Sequence, residues 1–423
     1  MSQNMNLLIK NILVIYPNSK YDRQILDILI ENGKIIKIGN VINSKNATII
    51  DGTGAFVAPG FIDIGAQVCD PGFEHREDID SAAAAASFGG FTSVAVQPNT
   101  LPALHSKSEI LYLKNKAASS LVDFLPIGAL SQDCKGENIS EMHDMYKAGA
   151  VAFSDGSKSI KDSGLMLRAL QYVKAFRGLI INHPFEKSVA SGGQMHEGVM
   201  STTLGMKGIP SLAEEMMLIR DLYLVEYADS QLHIQNISTA RSVDLVREAK
   251  QKGLKITASV AAINLAFEDS ALENFDTFLK VQPPLRSRKD IEALQKGLQD
   301  GTIDVINSNH IPHDEEAWNL EFPYASFGVL GLETAVSVAS TFGNLSPEQL
   351  VEKFAIAPRK LLNISMLPFE EGEMANLTFF HPTKSFTYAA SDIFSKSKNT
   401  PFVGKTLVGK TLAVVNKGKI KIT

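Results

Sequence analysis

A chain of 423 residues with 44% apolar side chains can bury a sizeable core, enough for two to three domains or for one large barrel with an appendage. Its formal charge of −5 is spread along the chain without a basic patch, so nucleic acid is not an expected partner. Two cysteines, Cys69 and Cys134, exclude a disulfide framework and fit a reducing cytoplasm.

The first segment, MSQNMNLLIKNILVI, lacks a long apolar core with a small-residue cleavage site, and no stretch reaches the roughly 18 apolar residues of a membrane span. A cytoplasmic protein without membrane association is therefore expected. Residues 6–58 read as short strands, with Asn32-Gly33 marking a hairpin between two β-rich runs. From about residue 59, β-rich runs alternate with amphipathic helical segments. The runs are FIDIGAQV, FTSVAVQPN, DFLPIGAL, VAFSDG, LIINHP, LHIQNIS, KITASVA and DVINSNH. The alanine run Ala82 to Ala86 falls within a helical pattern and reads as close helix–barrel packing. Ser211 with Glu214 three residues on predicts a capping box. Ser346, Pro347 and Gln349 predict another helix start. Eight strand–helix units predict an α/β fold, a (β/α)8 TIM-like barrel. The last fifty or so residues return to β-type runs. The expected organisation is a barrel over residues 56–365 and a small β-sandwich formed by the two chain ends, 1–55 and 366–423.

Active sites of such barrels lie at the C-terminal ends of the strands. The residues there are Gly65 and Gln67, Asn99, Asp155 and Gly156, His183, Asn236, and Asn309 and His310. This rim is polar but poor in zinc ligands, which are imidazole nitrogen, thiolate or carboxylate. No HxH, HExxH or CxxC pair occurs in the chain.

From about residue 50 onward the chain resembles the dihydroorotases of the type found with aspartate carbamoyltransferase, within the amidohydrolase superfamily. The segments that carry the resemblance include APGFIDIGAQVCDPGFEHREDI, AFSDGSKSIKDSGLMLRAL, GIPSLAEEMMLIRDL, LHIQNISTARSVDLVREAK, DGTIDVINSNHIPH and SFGVLGLETA. The family's first strand ends in His-x-His-x-Arg, which implies two zinc-binding histidines and a carboxylate-gripping arginine. Those places hold Gly65, Gln67 and Cys69. The bridging carboxylate of the fourth strand maps to Gly156, or to Asp155 if the alignment shifts by one residue. His183 keeps the strand-five ligand, and Asn236 replaces the strand-six histidine. Asn309 replaces the aspartate that serves relatives as ligand and general base, and an amide takes no proton near neutral pH. Asn99 and His313 match substrate-contact positions, whereas Gln282 stands where the family has Asn. The resemblance thus implies zinc in active relatives, and here no catalytic residue and no metal, at most one held through His183.

Blander readings stand beside these. His183 reads as a relic held by hydrogen bonds, with a mononuclear site of His183, His310 and Asp155 as the alternative. Cys69 reads as a structural thiol rather than a nucleophile. Asn99 is equally a loop-fixing amide or a ligand contact. Asp314-Glu315-Glu316 reads as a solvated charge run, and Arg76, near Glu74 and Glu77, as surface. Cys69, Asn99, Asp155, Gln282, His310 and His313 form the expected residual pocket.

Three functions follow. The first is a non-catalytic dihydroorotase homologue of pyrimidine synthesis, a structural partner of aspartate carbamoyltransferase in a homo-oligomer or mixed assembly. The second is a dihydroorotase or other cyclic-amide hydrolase with an atypical metal site. The third is a sensor that binds a carboxylate or pyrimidine without turnover.

Overall fold

The computed structural model describes residues 6–423. The N-terminal strands are β1 (Leu7–Val14), β2 (Ile25–Glu31), β3 (Lys34–Gly39), β4 (Thr48–Asp51) and β5 (Phe56–Pro59). The expected hairpin joins β2 to β3, with Asn32 and Gly33 both at positive φ (51° and 72°), as a two-residue turn requires. Next come eight strands that match the eight β-rich runs: β6 (Phe61–Ala66), β7 (Phe91–Val96), β8 (Asp123–Ala129), β9 (Ala152–Ser154), β10 (Ile180–Asn182), and, beyond a small parallel pair of β11 (Met195–His196) and β12 (Gly208–Ile209), β13 (Leu232–Ile234), β14 (Ile256–Ala261) and β15 (Val305–Asn307). The chain ends with β16 (Leu377–Thr387), β17 (Thr406–Asn416) and β18 (Lys419–Ile422).

Strands β6 to β10 and β13 to β15 form one parallel sheet in chain order, the expected (β/α)8 barrel. Its strands are almost wholly buried, as a sheet covered on both faces must be. The seam between β6 and β15 is closed by side chains and loops. Asp63 accepts from the Ser308 backbone N–H at 2.6 Å and from its hydroxyl at 2.8 Å, and the Gln67 N–H donates to the His310 carbonyl at 2.9 Å. These bonds hold the start and end of the barrel together at the mouth, where the candidate site lies.

Strands from both chain ends share a second sheet, ordered β18-β17-β16-β5-β1-β2-β3, with β4 also pairing with β1. It has its own core, in which Leu7, Ile9 and Val14 meet Leu377, Phe379 and Val415. The two hairpin tips touch: a Cβ on Gly33 would lie 2.2 Å from Gly418 Cα.

The alanine run lies on the helix Ile79–Gly89, with Ala82, Ala85 and Ala86 buried. The helix start at Ser346 forms as expected, Ser346 and Gln349 exchanging side-chain bonds. The box at Ser211 does not form. Its Glu214 is buried and accepts instead from the backbone N–H groups of Ser238 and Thr239 at 2.8 and 3.2 Å and from the Ser238 hydroxyl. A tertiary partner outcompetes the local cap. No helix of the described residues is long and apolar enough to cross a membrane.

Candidate functional site

A cavity of about 1010 Å³ opens at the C-terminal ends of the barrel strands. Gln67, Asn99, Asp155, Gly156, His183, Asn236, Gln282, Asn309 and His313 all line it. Gly65, Cys69 and His310 are not in its wall.

The floor is built from carboxamides. The Asn307 side-chain N–H donates to Asn236 Oδ1 at 2.7 Å, and Asn236 Nδ2 donates to Asn309 Oδ1 at 3.1 Å. Asn309 Nδ2 then donates to the Gln282 carbonyl at 3.1 Å. Asn236 and Asn309 sit at the left-handed φ values 58° and 47°, which asparagine tolerates better than most residues. Gln97 and Gln235 fill the space beside Gly65: a Cβ there would meet their Nε2 atoms at 3.2 and 2.4 Å. Gly65 has φ +153°, so both backbone and space oppose a side chain.

The remaining polar groups are fixed in a similar way. Both Asp155 carboxylate oxygens are engaged by Ser131, one by its N–H at 2.8 Å and one by its hydroxyl. Burial raises the Asp155 pKa, against those bonds. Asn99 donates to the Asp155 carbonyl and accepts from the Ser157 N–H, both at 3.0 Å. A Cβ on Gly156 would lie 1.8 Å from Asn99 Oδ1. Burial also lowers the His183 pKa and so favours the neutral ring. The neutral ring donates from Nδ1 to the Gln235 carbonyl at 3.3 Å, and Nε2 has no partner.

His310 is fully buried behind the wall. Its Nδ1 accepts from the Gly331 and Leu332 N–H groups at 3.2 and 3.3 Å, and its Nε2 lies 3.3 Å from Glu77 Oε2. Both ring nitrogens are therefore occupied, and the alternative trio of His183, His310 and Asp155 is not assembled. Among the described residues no three His, Cys, Asp or Glu side chains are grouped as a metal site. Zinc would find one free imidazole nitrogen, one tied carboxylate and several amides, and this donor set does not fit it.

The family model described as Dihydro-orotase-like matches residues 54–242. A dihydroorotase from Acetivibrio thermocellus is 42% identical over 98% of this chain and 99% of its own length. The chain belongs to the dihydroorotase family. A dihydroorotase from Pelotomaculum thermopropionicum is 43% identical over 98% of each chain. Among solved structures, the L-hydantoinase (dihydropyrimidinase) from Arthrobacter aurescens aligns with a TM-score of 0.84 at 25% identity, over 100% of this chain and 98% of its own. A D-hydantoinase at 23% identity and a TM-score of 0.80 shares the fold.

Within this family member the loop after β6 departs from expectation. Arg76 is no surface residue. It lines the cavity, donates from Nε and Nη2 to the Pro312 carbonyl at 3.0 and 2.6 Å, and contacts His313 Nδ1 at 2.6 Å. His313 Nε2 meets the Phe327 carbonyl at 3.0 Å, and burial followed by Arg76 lowers its pKa. Glu77 is fully buried and bonds to Ser395 as well as His310. Cys69 is buried at φ 64°, and desolvation pushes its thiol up to about 12. The run at Asp314 caps the short helix Glu315–Trp318, whose glutamates are exposed. Gln97, Gln235 and Arg76 line the cavity without having been among the residues expected there. The two glutamines follow strand ends and fall under the strand-end rule. Arg76 sits in a loop, where no periodicity places it.

Proposed function

We propose that this member of the dihydroorotase family is non-catalytic and acts within pyrimidine synthesis as a structural partner of aspartate carbamoyltransferase. The observation that carries the first half is the state of Asn309. It stands where the family resemblance puts the general base, and its amide is spent on Asn236 and the Gln282 carbonyl. A general base supplies about 10²- to 10⁴-fold in rate, and zinc lowers the pKa of a bound water from about 15.7 to about 7. Neither contribution has a donor set here. The partner comes from the resemblance alone.

The test is elemental mass spectrometry for zinc on protein purified without chelator, with a dihydroorotase assay on the same sample. Expected are zinc far below one atom per chain, since three protein ligands are not assembled, and no turnover. A firmly held metal with hydrolysis abolished by His183→Ala would hand the protein to the enzyme reading. Co-purification with the transferase, and lower transferase stability or activity without this chain, test the partner. A transferase that runs alone and fully active removes it.

A second reading, a ligand sensor, draws support from the cavity itself. Gln97 Oε1 and His183 Nε2 are buried there without partners, and unmet polar groups favour a polar ligand. Calorimetry with dihydroorotate or carbamoyl aspartate tests it. Saturable heat without product supports a sensor, and no binding up to millimolar ligand removes it.

A further inference from the structure

The wall of the barrel-mouth cavity divides by chemistry into two parts. One part carries four glutamines, Gln67, Gln97, Gln235 and Gln282. Gln97 and Gln235 are only 5% and 3% exposed. The asparagines of the floor bond to one another. By contrast, none of the four glutamine side chains bonds to another group among the described residues, and Gln97 Oε1 is buried without a partner. A buried amide left unmet favours a ligand that meets it. Each carboxamide sets a donor beside an acceptor, the pattern that reads the edge of a nucleobase through two bonds. His183 Nε2 adds a further unmet acceptor while Nδ1 donates to the Gln235 carbonyl. Phe185 stands half-buried in the same wall, its ring within 20° of parallel to the His183 ring. Bases stack on aromatic rings of this kind.

The exposed part of the wall is cationic. Lys135, Lys158, Lys161 and Lys187 stand there against Asp133 and Glu137. Lys135 is paired with Asp133 at 3.0 Å, and Lys158 donates to the Cys134 carbonyl at 3.2 Å. Lys161 and Lys187 make no side-chain bond or ion pair among the described residues. Their two segments are tied together where the Ser159 hydroxyl donates to the His183 carbonyl. The chain as a whole carries a formal charge of −5, so an excess of cations at one opening is a local feature. Ammonium groups on flexible stems hold phosphate as point charges, and a cleft lined by one sign of charge concentrates the opposite sign. Size agrees with a ligand of two parts. At about 1010 Å³ the cavity lies at the upper end of the about 300–1,000 Å³ that takes drug-sized ligands. A single ring with one carboxylate leaves most of it to water.

We propose that the cavity binds a nucleoside phosphate, its base against the glutamines and its phosphate on Lys161 and Lys187. This names the ligand class of the sensor reading and rests on that reading.

The experiment is calorimetric titration of the full chain with the four common ribonucleoside monophosphates, their nucleosides, inorganic phosphate and dihydroorotate, at low and at high salt. At least one nucleotide is expected to bind saturably, and its nucleoside to bind at least about 10-fold more weakly. Added salt weakens the nucleotide and not the nucleoside. The double variant Lys161→Ala with Lys187→Ala lowers nucleotide affinity at least about 10-fold and leaves the nucleoside as it was. Both lysines are exposed, so the double variant keeps the fold, as urea unfolding checks. Gln97→Leu weakens nucleotide and nucleoside alike. Saturable dihydroorotate with no nucleotide binding up to millimolar overturns the proposal and leaves the sensor reading standing, whereas silence from every probe removes both. Inorganic phosphate that binds as tightly as the best nucleotide, or a nucleotide indifferent to the lysine pair, also overturns the proposal.

Discussion

Asn236 donates its side-chain amide to Asn309 Oδ1 across 3.1 Å at the floor of the barrel mouth. The bond is one link in a directional chain that begins at Asn307 and ends at the Gln282 backbone carbonyl. Each interior carboxamide gives one N–H and accepts one, so the floor satisfies itself without an ion. Asn236 and Asn309 are thereby parts of one polar strut.

That strut bears on an acidic substitution at its last side chain. Asn309→Asp puts a carboxylate where Nδ2 now donates to the Gln282 carbonyl, so a hydrogen bond becomes an oxygen–oxygen repulsion. The expected loss is about 1–3 kcal/mol of stability at pH 7, read from urea unfolding. Lowering the pH to 5 partly restores it, because protonation returns a donor. Zinc does not raise the unfolding midpoint. Stoichiometric zinc uptake by this single variant would show that the other amides yield readily to a metal, against the reading above.

Introducing an acidic side chain at position 156 meets a steric obstacle instead. Gly156 has φ +65°, and any Cβ there lies 1.8 Å from Asn99 Oδ1. Gly156→Asp must displace Asn99 and break its bonds to the Asp155 carbonyl and the Ser157 N–H. Backbone strain of about 1–3 kcal/mol adds to this. Asn99→Ala relieves the overlap, so the double variant is expected to be more stable than the sum of the two single losses predicts. Strict additivity would mean that the loop shifts freely and Asn99 is not the obstacle.

The barrel was legible in the sequence because eight β-rich runs alternate with helical segments, and each run became a strand. The family was legible because whole segments carry it. The identities of Gly65, Gln67, Asn236 and Asn309 were visible in the sequence alone, but what packs beside Gly65 was not. Gln97 reaches there from the end of the adjacent strand β7 and Gln235 from the end of β13, three strands away around the barrel, a juxtaposition that depends on barrel geometry. The expectation that Arg76 lies at the surface fails for the same reason, and its neighbour Glu77 is buried as well. A charged loop reads as solvated until the fold shows Pro312, His313, His310 and Ser395 packed around it. Glu214 shows the converse case, a local capping signal overruled by Ser238 and Thr239 from the next strand end.

The two thiols offer a check on Cys69 as a nucleophile. Cys69 and Cys134 are each about 2% exposed, and burial pushes both up to about 12. Thiolate, the reactive form, is then scarce at pH 8. Native protein is expected to give no rapid reaction with an aromatic disulfide reagent, and protein in denaturant to give both thiols. One fast thiol in the native state, mapped to Cys69, would revive the nucleophile.

His233 lies beneath the floor with no exposed surface, its ring nitrogens 2.8 Å from Thr257 Oγ1 and 3.0 Å from Ser259 Oγ. Burial, with a smaller push from Lys250, takes its pKa down to about 3. In the unfolded chain the ring titrates near 6.5. As pH falls below that value the unfolded state gains a proton that the folded state refuses. The stability from this group is thus complete above about pH 6.5 and is lost towards pH 3 at about 1.4 kcal/mol per unit. His233→Gln keeps a donor and an acceptor but no titration. It should cost about 1–2 kcal/mol at pH 7.5 through imperfect bonds, and the deficit should vanish near pH 5, where wild type has lost about 2 kcal/mol through the histidine. Buried carboxylates with raised pKa values, such as Asp63 and Asp155, act in the opposite sense but are common to both proteins and cancel in the difference. Urea unfolding of the pair at the two pH values measures it. A deficit unchanged between them would mean that the folded protein protonates His233 as readily as the unfolded chain does, and that the ring beneath the floor is open to water.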